Sequence, residues 1–185
     1  VSLPMTHAPP GIRTRLLPSI GFTIGSGGDV HCWGKNNNGQ LGLGDLITRV
    51  EPTAISGLSA SIISGGYDHT CAVSSGNVYC WGSPKNSRLG YNPELVIGEV
   101  SGISTASQIS LAYNSTCARL SDGTVNCFKG SYSGIYFTNA VQVSSGFIYH
   151  CAVLSDGSTP LFYLAKHQAY LACVVINRFF VASVP

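Results

Sequence analysis

Charged residues are scarce in this sequence. Lys and Arg number 10 and Asp and Glu 8 in 185 residues, so charge makes up 10% of the chain, against roughly a quarter in ordinary globular proteins. The net charge of +2 comes from scattered cations, and nothing forms the clustered basic face that a phosphate backbone needs, so nucleic acid is not expected as a partner. Eight acidic residues offer no paired carboxylates, and no nucleophile, base and orienting group stand in a recognisable pattern, so an enzyme is not expected either. Long uninterrupted apolar runs are also missing. The C-terminal stretch "PLFYLAKHQAYLACVVINRFFVASVP" is broken by Lys166, His167, Gln168, Asn177 and Arg178. Each charge near a bilayer centre costs about 2.5–3.5 kcal/mol, so a membrane-spanning helix is disfavoured. The opening "VSLPMTHAPPGIRTRLLPSIGF" lacks the apolar core and small-residue cleavage site of a secretory leader. The start at Val1, without an initiator methionine, fits a fragment, from a truncated chain or a misjoined reading frame.

The chain does contain 22 glycines, seven cysteines and an internal repeat. Counting back from three cysteines gives three blocks that align without a gap: "ASIISGGYDHTC" (60–71), "ASQISLAYNSTC" (106–117) and "AVQVSSGFIYHC" (140–151). Each has an aliphatic residue at its fourth place (Ile63, Ile109, Val143) and serine at its fifth (Ser64, Ser110, Ser144), with an aromatic three places later (Tyr67, Tyr113, Phe147). Short β-rich segments repeating at such spacings favour propeller blades over helical solenoids.

The cysteine spacing locates the turns. Two cysteines that face each other across a hairpin must be symmetric about its loop. For Cys71 and Cys80 the midpoint lies between Ser75 and Gly76, a two-residue loop. For Cys117 and Cys127 it falls on Asp122, giving the loop Ser121-Asp122-Gly123, whose last residue needs the left-handed conformation that glycine adopts freely. Opposed strand residues sit close enough for a disulfide. Bridging such a small loop stabilises by at most about 2.5–3 kcal/mol in the chain-entropy picture. Reduced core cysteines are the alternative in a cytosolic protein. A four-thiolate zinc site fits poorly, because zinc ligands usually lie two to four residues apart. Two copies of the pattern are damaged. Cys32 faces Phe22 where a cysteine is due, and Cys151 faces Leu161 in a return strand that opens at Pro160. The pattern therefore names no partner for Cys32, Cys151 or Cys173.

His31, His69 and His150 recur next to or near these cysteines and suit packing or hydrogen bonding better than metal or proton chemistry. Trp33 and Trp81 follow cysteine in "CWG", with Phe128 at the same place in the third copy, as a ring packed between blades would. The segment "GKNNNGQLGLGD" lacks the order of a phosphate-binding loop, so its glycines and asparagines are expected in turns. Asn114-Ser115-Thr116 is an N-glycosylation sequon, which makes Asn114 a candidate acceptor.

The stretches "CWGKNNNGQLGLGD" and "CWGSPKNSRLGY", each leading to a "C-A-x-x-S-x-G-x-V-x-C" hairpin or its equivalent, resemble regulator of chromosome condensation repeats. The cysteine-paired form is similar to repeats of secreted bacterial proteins, of crinkly-type plant receptor ectodomains and of the β-lactamase-inhibitor protein that shares the fold. The resemblance implies an all-β fold, a partial β-propeller of about three blades where the family's full ring has seven. Three divisions are expected: a non-repeat segment 1–21, the repeat region 22–158 and an apolar tail 159–185. The resemblance further implies a non-catalytic module that binds a protein partner without a cofactor, located outside the cell or on its surface, with a cytoplasmic location as the alternative. Contacts are expected from segments 35–45, 83–92 and 129–138. Further blades from a longer chain would complete the ring. The alternatives are guanine-nucleotide exchange on a small GTPase, the activity of the family's nuclear prototype, and a truncated fragment with no function of its own.

Overall fold

The computed structural model describes residues 20–83, 95–113, 115–129, 132–146, 149–159, 161–163, 173–176 and 179–182. These residues are all strand, turn and loop. The first blade consists of β1 (Ile20–Ile24), β2 (Asp29–Gly34) and β3 (Arg49–Ser59). The second has four antiparallel strands in sequence order: β4 (Ile62–Gly65), β5 (His69–Ser74), β6 (Asn77–Gly82) and β7 (Gly98–Glu99). The third repeats it with β8 (Ala106–Leu111), β9 (Thr116–Leu120), β10 (Val125–Lys129) and β11 (Tyr132–Phe137). The fourth contains β12 (Ala140–Ser145), β13 (Tyr149–Leu154) and β14 (Leu161–Tyr163). A separate pair, β15 (Cys173–Ile176) and β16 (Phe179–Ala182), follows. The fold is thus all-β, a partial propeller with two complete blades between two three-stranded ones. The inner strands β4, β8 and β12 contact one another in turn.

The tight turns follow from local backbone chemistry. Between β5 and β6, Ser75 and Gly76 both have positive φ, 49° and 84°, the conformation of a two-residue hairpin loop whose twist matches the strands. Between β9 and β10 the loop is Ser121-Asp122-Gly123, closed by Leu120 N–H donating to Thr124 O at 2.8 Å, with Gly123 at φ 84°. Both cysteine pairs lie directly opposite across these hairpins. Cys71–Cys80 and Cys117–Cys127 are disulfide-bonded with Cα atoms 4.1 and 4.0 Å apart.

Three hydrophobic clusters lie at the three blade junctions, and strand alternation assigns residues to them. The paired cysteines of each hairpin point toward the following blade: Cys71 and Cys80 join Ile109, Ala118 and Phe128, whereas Cys117 and Cys127 join Val143 and Ala152. The alanine after each first cysteine points the other way. Ala72 and Trp81 pack with Val30, Cys32 and Leu41 of the first blade. The dipeptide Cys-Ala thus supplies one residue to each neighbouring junction.

A backbone clasp links successive blades. The N–H of Ala60, Ala106 and Ala140 donates to the carbonyl of the preceding turn glycine, Gly28, Gly76 and Gly123, at 2.9, 2.8 and 2.8 Å. All three alanines are buried. Gln108 adds a second link, its amide donating to Val143 O at 2.7 Å and accepting from Val143 N–H at 3.0 Å.

Candidate interaction face

In a four-stranded antiparallel blade the loops after the first and third strands leave at one end, and the turn between the second and third strands lies at the other. The first end carries the segment after β2, the loop between β4 and β5, and the loop between β8 and β9.

Asn36 organises the first of these loops. It is fully buried, donates to the carbonyls of Asp45 and Ile47 at 2.9 and 3.2 Å and to Asp45 Oδ1 at 3.1 Å, and accepts from Leu41 N–H at 2.9 Å. The loop is pinned to the second blade at Gln40, whose carbonyl accepts from Thr70 Oγ1 at 2.8 Å and from Trp81 Nε1 at 3.0 Å. Gly42 has φ 69° and lies against the Trp81 ring, so both backbone angle and space require glycine. At the rim, Arg49 donates to Asp45 Oδ2 at 2.6 Å. This bond and the Ile47 N–H hold the Asp45 carboxyl below its ordinary range. The glycines and asparagines of 35–45 therefore shape a rigid loop.

Two of the repeated aromatics lie on the same end, Tyr67 exposed and Tyr113 partly buried. Tyr67 and Tyr113, from adjacent blades, stack with ring centroids 4.6 Å apart and planes tilted by 44°. Tyr67 is 58% exposed, and Lys35 Nζ lies 5.9 Å from its ring centroid. Leu46 and Ile47 are exposed on the neighbouring loop. By contrast Trp81 and Phe128 are buried between blades, and Trp33 covers Gly21 at the flank of the first blade.

His69 is buried, its Nε2 3.0 Å from Thr116 Oγ1, and desolvation lowers its pKa from 6.5 to about 3. His150 is buried between Ser115 Oγ, 2.7 Å from its Nε2, and Ser145 Oγ at its Nδ1. Cys32 is a buried free thiol opposite Phe22, and burial pushes its pKa up to about 12. Cys151 lies opposite Leu161 and is disulfide-bonded, which the repeat pattern did not provide for. The pairing of Cys173, the candidate acceptor Asn114, Phe147 and residues 84–92 of the second contact segment lie outside the described residues and side chains. In the third contact segment, residues 132–137 are not a loop. They form β11, paired with β10 from Val125–Phe137 to Lys129–Tyr132, because an edge of the blade is satisfied there. Among the described residues no three His, Cys, Asp or Glu side chains form a metal cluster, and no helix is long and apolar enough to cross a membrane.

The aromatic period is legible in the sequence, but the exposure of Tyr67 is not. The clasp alanines carry no local signal beyond standing at the first place of their blocks.

This arrangement defines an open β-propeller segment whose blades are joined by repeated junctions and whose loops are gathered at one end. Residues 27–73 and 61–88 match the regulator of chromosome condensation (RCC1) repeat, so this part of the chain carries RCC1-like repeats. The ultraviolet-B receptor UVR8 of Arabidopsis thaliana is 42% identical over 50 residues, 25% of this chain and 11% of that protein. Among solved structures, human WBSCR16 superposes with a TM-score of 0.68 at 16% identity over 78% of this chain and 45% of its own. Prp20p of Saccharomyces cerevisiae gives 0.66 at 18% identity, with 77% and 43% covered. The CRINKLY ectodomain of the Arabidopsis thaliana receptor kinase ACR4 gives 0.51 at 17% identity, with 79% and 47% covered. At these identities the likeness is one of fold, and the chain spans less than half the length of each of these structures.

Proposed function

We propose that this chain is a non-catalytic protein-binding module that presents the loop end of its blades to a protein partner. The observation that carries this reading is the exposed Tyr67, packed against the partly buried Tyr113 and beside Lys35, whereas Trp81 and Phe128 are buried between blades. Exposed aromatics are common anchors at protein interfaces because they contribute large contact area with few rotatable bonds. The pinned 35–45 loop keeps the neighbouring surface in one conformation, which limits the entropy lost on binding. The fold supports the same use: Prp20p was studied for binding to Gsp1p and histones, and a further structure shows yeast RCC1 (Prp20) bound by Kap60. The disulfide hairpins and the ectodomain-type neighbour favour an extracellular or cell-surface setting.

The test is affinity capture with cross-linking from the native source, comparing the wild-type chain with Tyr67→Ser/Tyr113→Ser and Lys35→Glu variants. A partner set cross-linked to 35–47 and 66–68 and lost in the variants, with unchanged circular dichroism, is the expected result. Partners retained by all variants would place binding elsewhere and overturn this reading.

A further inference from the structure

Independently of any partner, the blade junctions carry a second pattern. In the three aligned blocks the eleventh residue is Thr70, Thr116 and His150, and each reaches back to the preceding blade. Thr70 bonds to Gln40 O, Thr116 to His69 and His150 to Ser115, at 2.8, 3.0 and 2.7 Å. His69 and Ser115 are themselves the tenth residues of their blocks. Successive junctions are therefore closed by a bond from tenth place to eleventh, but in opposite senses. Between blades two and three the ring is on the earlier blade and the hydroxyl on the later one. Between blades three and four the hydroxyl is on the earlier blade and the ring on the later one. All four side chains are buried.

We infer that this reversal is an ordering key, which fixes which blade packs on which in a chain of near-equivalent repeats. Each of these two later junctions holds one imidazole and one hydroxyl. Were blade four to dock directly on blade two, skipping blade three or joining another copy of the chain, His69 would meet His150, and two rings would compete for the space of one. Were blade three to accept a blade of its own kind, Ser115 would face threonine across the gap that a ring now fills. Both errors leave buried polar groups badly packed or unpaired, which is costly in a closed interior. Exchange of equivalent elements between copies is a characteristic failure of repeat proteins, and the key acts against it through polar pairing that apolar blade faces cannot supply.

Two experiments on the full oxidised chain test this. The first is a double-mutant cycle of His69→Thr and Thr116→His, read as the folding equilibrium constant in denaturant. Each single variant is expected to lower the constant, and the double to regain about tenfold over the product of the singles. Where a single variant fails to fold, recovery of folded protein in the double is the expected result, and a double no better than its parts overturns the pairing. The second uses Ser115→His/His150→Ser, which keeps a ring–hydroxyl pair at the later junction but gives both junctions the same sense. Its blade two can accept blade four, so the oligomeric share formed on refolding at high concentration, measured by size-exclusion chromatography, is expected to rise severalfold over wild type. A monomer yield equal to wild type with stability retained would show that the pair joins blades without ordering them.

Discussion

Position 22 shows how a single residue ends the disulfide series. Phe22 stands opposite Cys32 in the place where Cys71 stands opposite Cys80, and its partly buried ring packs on the first junction cluster instead. Cys32 is left as a thiol that is both buried and hard to ionise, so it is expected to resist alkylation until the protein unfolds. Phe22→Cys restores the opposed pair and should give a third cross-strand bridge, detected as the loss of the Cys32 thiol in peptide mapping. The gain in stability should fall short of the roughly 2.5–3 kcal/mol chain-entropy limit, because the Phe22 ring no longer packs. A free Cys32 in that variant would show that the first hairpin is not aligned as its neighbours are.

His69 gives a residue-scale prediction with a defined sign. Its folded-state pKa, about 3, lies below the ordinary value of 6.5 because burial disfavours the imidazolium. Between those values the unfolded chain binds a proton that the folded chain excludes. The contribution to stability is therefore complete above pH 6.5 and is lost as pH falls toward 3. The useful window is pH 4.5–6.5, above the range where Asp45, Asp122 and Asp156, all held low by hydrogen bonds, begin to titrate. There the wild type should lose up to ~1 kcal/mol per pH unit more than His69→Gln. Equal slopes for the two proteins in denaturant titrations would mean that His69 is accessible to protons in the folded state.

At the scale of the element, the turn glycines show what was legible beforehand. Symmetry about the cysteines located both loops, and the need for a positive φ at Gly123 followed from loop length. The clasp did not follow, because it depends on the next repeat lying against the turn, a long-range contact without local signature. Strand β11 was missed for the same reason: "YSGIYF" has no clear alternation, and pairing with β10 decides its conformation. Two substitutions separate the local from the long-range requirement. Gly76 and Gly157 both have φ 84°, but a Cβ at Gly76 would overlap the Ser104 carbonyl, whereas at Gly157 it meets no described atom within 4 Å. Gly157→Ala should cost only the left-handed penalty of about 1 kcal/mol. Gly76→Ala should cost at least about twice that, because the junction between blades two and three must shift as well. Similar losses in the two thermal-melting curves would mean that the clasp contributes little.

For the whole molecule, stability is distributed by neighbours. Each blade buries its faces only against adjacent blades, so the total approximates a sum of blade terms and junction terms. Among the described residues, blades two and three each contribute to two junction clusters, whereas blades one and four each contribute to one. Blades two and three also hold four strands and a hairpin disulfide. Trp33 shows the consequence at one flank. Its equivalents Trp81 and Phe128 pack back onto a preceding blade, while Trp33 remains partly exposed over Gly21. Native-state hydrogen exchange should therefore grade along the chain, with the slowest amides in β5, β6, β9 and β10 and faster exchange in β1, β2, β12 and β13. Replacing the two hairpin pairs, Cys71→Ala/Cys80→Ala and Cys117→Ala/Cys127→Ala, leaves the Cys151 bond in place and should narrow this difference by loosening the inner blades selectively. Uniform protection across all four blades would indicate that the segment opens as one cooperative unit, and blade-by-blade addition would then fail as a description of its stability.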